Sequence, residues 1–123
     1  MIFSIVIPCY NEAATLPLLI ERCREVVEES PYELEFILVD NGSTDNTHLI
    51  LKKMLATTSG CRFIHLKDNE GYGHGILAGL AAARGDILGW THADMQTDPG
   101  DVLKAMPYFS NNFERIFAKG RRF

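Results

Sequence analysis

The sequence predicts an α/β fold, an open and mostly parallel sheet with helices on both of its faces. Three observations carry this prediction. Short strand-like runs, mostly apolar, recur along the chain at residues 3–7, 36–39, 62–66 and 87–91, the third carrying Arg62 and His65. The second is continuously apolar and the first is interrupted only by Ser4, rather than alternating, as expected of strands buried on both faces. Between the runs lie longer stretches whose apolar residues repeat at helical spacing, the pattern of helices that cross over between parallel strands.

Residues 3–7 form the first expected strand, stopped by Pro8. The following helix has Thr15 as its N-cap and Pro17 in its first turn. Leu16, Leu19, Ile20, Cys23, Val26 and Val27 make its core-facing stripe, and Ser30-Pro31 ends it. Residues 36–39 form the second strand, closed by the polar run 40–45. Ser43 or Thr44 is expected to cap the next helix, with Asp45 at its positive end and Leu49, Ile50 and Met54 on its buried side. Residues 57–60 break that helix, and 62–66 read as a third strand.

A polar loop over 67–73 precedes a helix running to Ala83, for which Gly85 is the expected C-cap. Gly75, Ala78, Gly79, Ala82 and Ala83 give it a slim surface able to pack close on a sheet. The fourth strand is 87–91. Asp98 caps the next helix, Pro99 takes its first position and Asp101 its first turn. Val102, Leu103 and Met106 face inward, and Pro107 ends or kinks the helix. Residues 115–119 are expected to form a fifth strand, before Gly120-Arg121-Arg122-Phe123.

Composition narrows the function classes. A chain of 123 residues, 46% hydrophobic and 23% charged, suits one soluble domain with a real core. Its formal charge of −4 argues against a nucleic-acid binder held by phosphate contacts. Cys9, Cys23 and Cys61 are odd in number and form no CxxC pair, so neither a disulfide framework nor a zinc cage is suggested. Free thiols fit a reducing cytoplasm. The opening Met1-Ile2-Phe3 has no basic leader, and the first apolar run is too short for a signal peptide or a membrane span.

Ligands of open α/β sheets bind beyond the carboxyl ends of the strands. The loops gathered there are 8–12, 40–45 and 92–98, and each carries carboxylates. His92, Asp94 and Gln96 alternate just after the fourth strand, so a persisting pleat would aim all three at one point. An imidazole, a carboxylate and an amide oxygen could there hold a divalent cation, and the cation a phosphate. The same stretch also reads as a polar loop whose Asp98 only caps a helix. Asp40 can accept hydrogen bonds from a nucleobase edge and suits uracil or guanine alike. Tyr10 offers a stacking face, or simply packs. Glu12 can accept from ribose hydroxyls, or only serve the following helix. Base, ribose and diphosphate together describe a nucleotide-sugar donor.

Five segments occur in order: Val6-Ile7-Pro8-Cys9-Tyr10-Asn11-Glu12, Val39-Asp40-Asn41-Gly42-Ser43-Thr44-Asp45, Asn69-Glu70-Gly71, Ala83-Arg84-Gly85-Asp86 and His92-Ala93-Asp94-Met95-Gln96-Thr97-Asp98-Pro99. Together they resemble the nucleotide-binding half of family 2 glycosyltransferases with the Rossmann-like GT-A fold. Within that family they are most similar to dolichyl- or polyprenyl-phosphate sugar transferases. The resemblance implies that Pro8, Tyr10, Glu12 and Asp40 grip the nucleoside. It maps the family's Asp-x-Asp metal signature onto His92, Asp94 and Gln96, with Ala93 against the donor. Asp94 and Gln96 are the expected ligands. His92 departs from the pattern: it either ligates Mn²⁺, less naturally Mg²⁺, or hydrogen-bonds the ribose or diphosphate. Arg122 lies where that subgroup has a Gly-Ser-Arg segment, making it a phosphate contact unless it is a frayed terminus.

The resemblance further implies inverting transfer from a UDP- or GDP-linked sugar to an acceptor such as a polyprenyl phosphate. With the cytoplasm suggested by the free thiols, the lipid-phosphate resemblance implies peripheral association at the cytoplasmic face of a membrane. The general base is expected beyond Phe123. Residues 1–123 are thus expected to be a single nucleotide-sugar-binding domain, truncated before the acceptor-binding half, that binds nucleotide without completing catalysis. Two rivals remain. One is a non-catalytic nucleotide-binding module on the same fold, favoured by His92. The other is an NAD(P)-dependent oxidoreductase, since Gly73-His74-Gly75-Ile76-Leu77-Ala78 matches GxGxxA, though after the third strand rather than the first. His48, His65 and His74 are not at metal-site spacings and are read as surface or core residues.

Overall fold

The computed structural model describes residues 1–95 and 97–110. Four strands, β1 (Ile2–Cys9), β2 (Glu33–Asn41), β3 (Cys61–Leu66) and β4 (Ile87–Trp90), form one sheet in the order β3-β2-β1-β4. Every pairing is parallel, with Ile5 opposite Phe36, Leu38 opposite Phe63 and Val6 opposite Trp90. The chain steps outward from β1 to β3 and then returns to the far side of β1. That reversal opens a crevice at the carboxyl ends of β1 and β4, the switch point where open α/β sheets bind ligands.

The strands run longer than their apolar cores suggest. β1 continues through Pro8 because the backbone of Val6 points toward β4, accepting from Thr91 N at 3.0 Å. Pro8, two residues on, faces the same side past the end of β4, where its missing N–H deprives no partner. β2 starts at Glu33 because the charge of Glu35 is matched inside the fold. Its carboxylate accepts from Ser4 Oγ at 2.6 Å, Arg62 Nε at 3.0 Å and Arg84 N at 2.8 Å. Burial pushes the Glu35 carboxyl up, but these bonds outweigh it and hold it down to about 2.

Pleat alternation sorts the core onto two faces. Phe3, Ile5, Ile7, Cys9, Leu34, Phe36 and Leu38 pack against α1 (Leu16–Glu29) and α2 (Thr47–Leu55), through Leu16, Leu19, Ile20, Cys23, Val26, Leu51 and Leu55. Removing one such side chain, as in Leu19→Ala, costs about 2–5 kcal/mol. Val6, Ile37 and Val39 face the other way, toward Leu80 of α3 (Tyr72–Ala82), with Ile64 and Leu66 beside them. Gly79 is what lets α3 lie so near the sheet. A Cβ there would fall 2.4 Å from Val6 Cγ1 and 3.0 Å from Val39 Cγ2.

Several helix ends differ from expectation. Thr15 stands at the N-cap of α1 but makes no capping bond, because the turn before it is already helical. Glu12 O accepts from Thr15 N and Leu16 N at 3.1 and 2.9 Å. α2 begins after Asn46, so neither Ser43 nor Thr44 caps it; Asp45 Oδ1 accepts from Thr47 N at 2.9 Å instead. That shift rotates the buried side to Thr47, Leu51 and Leu55 and leaves Leu49 exposed. Ala83, not Gly85, ends α3. Gly85 serves a close approach, donating its N–H to Ser4 Oγ at 2.8 Å, where a Cβ would meet that oxygen.

Asp98 does cap as expected, accepting from Gly100 N at 2.9 Å ahead of a 3-10 turn, Pro99–Asp101. Arg22 grips the same carboxylate and, with that N–H, holds it below the usual range. Pro107 divides α4 (Val102–Ala105) from α5 (Pro107–Ser110), and Met106 between them is fully buried. The expected fifth strand at 115–119, Gln96 and Arg122 lie outside the described residues.

Candidate donor-binding cleft

The crevice at the switch point is lined by Pro8, Cys9, Tyr10 and Glu12 after β1, by His92, Ala93 and Asp94 after β4, and by Asn41 and Tyr72 between them. Six residues singled out in the sequence, Pro8, Tyr10, Glu12, His92, Ala93 and Asp94, therefore meet in one place. His92 and Asp94 do not converge by a persisting pleat. β4 stops at Trp90, and the chain bends so that Met95 adopts a left-handed φ of 64°. Such a conformation is costly for a methionine and is held by its surroundings. Ala93, nearly fully buried, lies between the two polar residues.

The β1 loop is fixed by the β2 loop through a set of short polar residues. Asn11 takes a left-handed φ of 51°, which asparagine tolerates. Its Oδ1 accepts from Thr44 N at 2.8 Å and Asp45 N at 3.3 Å, and its N–H donates to Ser43 Oγ at 3.0 Å. Glu12 N donates to Thr47 Oγ1 at 3.0 Å, and Ala13 N to Asp45 Oδ2 at 3.2 Å. Burial opposes ionisation of Asp45, yet the bonds from Thr47 and Ala13 hold its carboxyl below the usual range. Gly42, at φ 68°, permits the turn; a Cβ there would strike the backbone of Asn69. The result is a braced loop with Tyr10 half exposed at its tip.

Asp40 does not line the cleft. As pleat alternation requires, its side chain turns to the α2 face while Asn41 turns to the α3 face. The carboxylate is fully buried, with Oδ1 accepting from Ser43 N at 3.1 Å and Oδ2 from His65 Nδ1 at 2.8 Å. His48 Nδ1 stands 3.7 Å from the same Oδ2. His48 and His65, distant in sequence and without a spacing motif, are thus neighbours.

Sequence reasoning also missed Cys9, Asn41 and Tyr72. Asn41 Nδ2 donates to Gly71 O at 3.1 Å, while its Oδ1 is buried with no hydrogen-bond partner. A buried orphan acceptor beside a cleft is a place for a ligand's N–H or O–H. Its position one residue past Asp40, on the opposite face of the same strand, was the available signal. Tyr72 stacks on His92 with centroids 5.9 Å apart and hydrogen-bonds His92 Nδ1 at 3.1 Å, which orients the imidazole. Cys9 is no nucleophile: burial, with the charges of Glu12 and Asp40, pushes its thiol far up. Gly73 and Gly75 lie in the first turn of α3, which follows β3 and not β1, so the GxGxxA match is out of place for a dinucleotide site.

An imidazole and a carboxylate on one cleft are a donor set that suits Mn²⁺. Comparisons with known proteins agree with this architecture. The sequence profile of glycosyl transferase family 2 matches residues 4–122. Undecaprenyl-phosphate 4-deoxy-4-formamido-L-arabinose transferase of Pseudomonas fluorescens (strain SBW25) is 39% identical over 101 residues, 80% of this chain and 29% of the relative. Among solved structures, S. aureus TarS 1–349 in complex with UDP-GlcNAc aligns with a TM-score of 0.70 at 25% identity, over 89% of this chain and 31% of that one. Mannosyltransferase PcManGT from Pyrobaculum calidifontis, in complex with GDP-Man and Mn²⁺, aligns with a TM-score of 0.69 at 26% identity, over 89% and 32%. The chain spans under a third of the length of each of these three relatives.

Proposed function

The chain belongs to glycosyl transferase family 2, with a GT-A fold, and from that membership we propose that its cleft binds the nucleoside diphosphate of a sugar donor. The observation that carries the proposal is the meeting of the β1 loop and the β4 loop in one crevice at the switch point. On this reading the base stacks on Tyr10, half exposed on its braced loop. Glu12 accepts from the ribose hydroxyls, and Asn41 Oδ1 takes a further donor hydrogen. Asp40 acts from behind the cleft, holding Ser43 and through it Asn11.

Asp94 with Gln96, joined by His92, would hold a divalent cation, Mn²⁺ more naturally than Mg²⁺, with Arg122 as a further contact toward the phosphates. Bound there, the cation would offset the negative charge that builds on a departing diphosphate. Tyr72, bonded to His92 Nδ1, fixes which ring nitrogen faces inward. Residues 1–123 would act as one donor-binding domain.

The reaction served would be displacement at the sugar's anomeric carbon by an acceptor oxygen, with inversion and loss of the nucleoside diphosphate. A polyprenyl phosphate is the acceptor that the Pseudomonas relative's name supports. We assign donor binding to this chain, and the base that takes the acceptor's proton to the part of the relatives' length it does not span. A lipid acceptor would bring the protein to the cytoplasmic face of a membrane; among the described residues no helix is long and apolar enough to cross one.

Binding of UDP, GDP and NADH to the chain, measured by calorimetry, tests the reading. UDP or GDP should bind and NADH should not. Tyr10→Ala should weaken binding about tenfold, the value of one lost base stack. NADH binding, or nucleotide affinity untouched by Tyr10→Ala, would refute it.

A further inference from the structure

We propose that Asp40, His48 and His65 form a second metal site, for zinc or a similar borderline-soft cation, on the face of the sheet covered by α2. Among the described residues these three bring one ligand atom each to within 4.8 Å of one another. The site is built on regular elements. Asp40 and His65 are register partners across β2 and β3, and His48 lies in the first turn of α2.

The details match a chelating cluster better than a hydrogen-bonded pair. His65 Nδ1 is 2.8 Å from Asp40 Oδ2, and His48 Nδ1 is 3.7 Å from that same oxygen. In a tetrahedral site with bonds near 2.05 Å, neighbouring ligand atoms stand about 3.3 Å apart. The two observed separations bracket that edge, and all three ligand atoms lie within 4.8 Å of one another. His48 Nδ1 is buried and has no hydrogen-bond partner. A hydrogen-bonded Asp40–His65 pair leaves that nitrogen unsatisfied, whereas a shared cation uses it.

The surroundings support the ligands. Asp40 Oδ1 is held by Ser43 N at 3.1 Å, leaving Oδ2 for the ion. The imidazoles lie against each other with centroids 4.0 Å apart, and Phe63 braces His48 edge-on at 5.8 Å. The side chains of His48 and His65 are 36% and 43% exposed, which leaves room for a water as fourth ligand. Two imidazoles and one carboxylate favour Zn²⁺ or Co²⁺ over Mg²⁺. This site is separate from the donor cleft, whose expected ligands are on the β4 loop.

The test is titration of the chain with Zn²⁺ in excess Mg²⁺, by calorimetry, on wild type, His48→Gln, His65→Gln and Asp94→Asn. Asp94→Asn, which disables the cleft's cation site, should still bind one equivalent as tightly as wild type binds at this site, and each histidine variant should bind there about tenfold or more weakly. On the unmutated chain, the side-chain ¹⁵N resonances of His48 and His65 Nδ1 should shift together as zinc is added. No zinc binding, binding unchanged in both histidine variants, binding lost in Asp94→Asn, or unmoved Nδ1 resonances would each overturn the proposal.

Discussion

Asn11 is the residue through which one loop of the cleft holds the other, and replacing it separates two physical contributions. Asn11→Gly removes the amide that accepts from Thr44 N and Asp45 N but accommodates the φ of 51° freely. Those bonds lie on an exposed loop where water can replace them, so their loss costs about 1 kcal/mol. The freer unfolded chain adds about 0.5–1 kcal/mol. Asn11→Ala loses the same bonds and must also hold a left-handed conformation, at about 1–2 kcal/mol. Urea unfolding should therefore rank wild type above glycine and glycine above alanine, with about 1 kcal/mol between the two variants. Both should also bind UDP or GDP less tightly, because Tyr10 precedes and Glu12 follows Asn11 in sequence. An alanine variant more stable than the glycine variant would show that residue 11 carries no left-handed strain. Wild-type stability in both would refute the bracing role.

Other expectations rest on the same geometry. Glu35, held at about 2 in the fold, contributes stability fully present above its ordinary carboxylate range. That contribution should fade as pH falls toward 2, by at most about 3 kcal/mol. Urea curves at neutral pH and at pH 3 should show wild type losing about 2 kcal/mol of this increment relative to Glu35→Gln, and a gap that ignores pH would contradict it. Gly79→Ala should cost about 1–2 kcal/mol net, since the added methyl meets Val6 and Val39. Gly73→Ala in the same helix meets nothing within 4 Å and should gain up to about 1 kcal/mol; matching signs in thermal melts would refute the close-approach argument. Cys9, Cys23 and Cys61 are all free and buried, with the Cys61 thiol pushed up to about 11. A thiol reagent should modify them only as fast as the chain unfolds, and rapid labelling of the native protein would disprove this.

How far the sequence reached depends on the range of the interactions involved. The strand cores and the α1 stripe were legible because burial on a face repeats with the local period. The Asp98 cap and the Pro107 break were legible for the same reason, since each acts within a few residues. The longer reach of β2 was not legible, because Glu35 is satisfied by Arg62 and Arg84, residues far along the chain. Ser43 and Thr44 looked like caps and instead bind Asn11, a contact across two loops. Six residues of the cleft could be named because strand ends collect at a sheet edge. Asn41 was passed over in favour of Asp40, although the pleat puts only Asn41 on the cleft side. His48 and His65 carry no spacing signal, since register alone brings His65 beside Asp40.

Asp94 is the proposed hold of the protein on a cation beside the donor's phosphates. Calorimetry of UDP and GDP, with and without Mn²⁺, on wild type and Asp94→Ala measures this directly. Wild type should gain about tenfold or more in affinity from Mn²⁺ for the nucleotide it prefers, and the variant should gain none. An equal gain in both proteins would contradict the assignment.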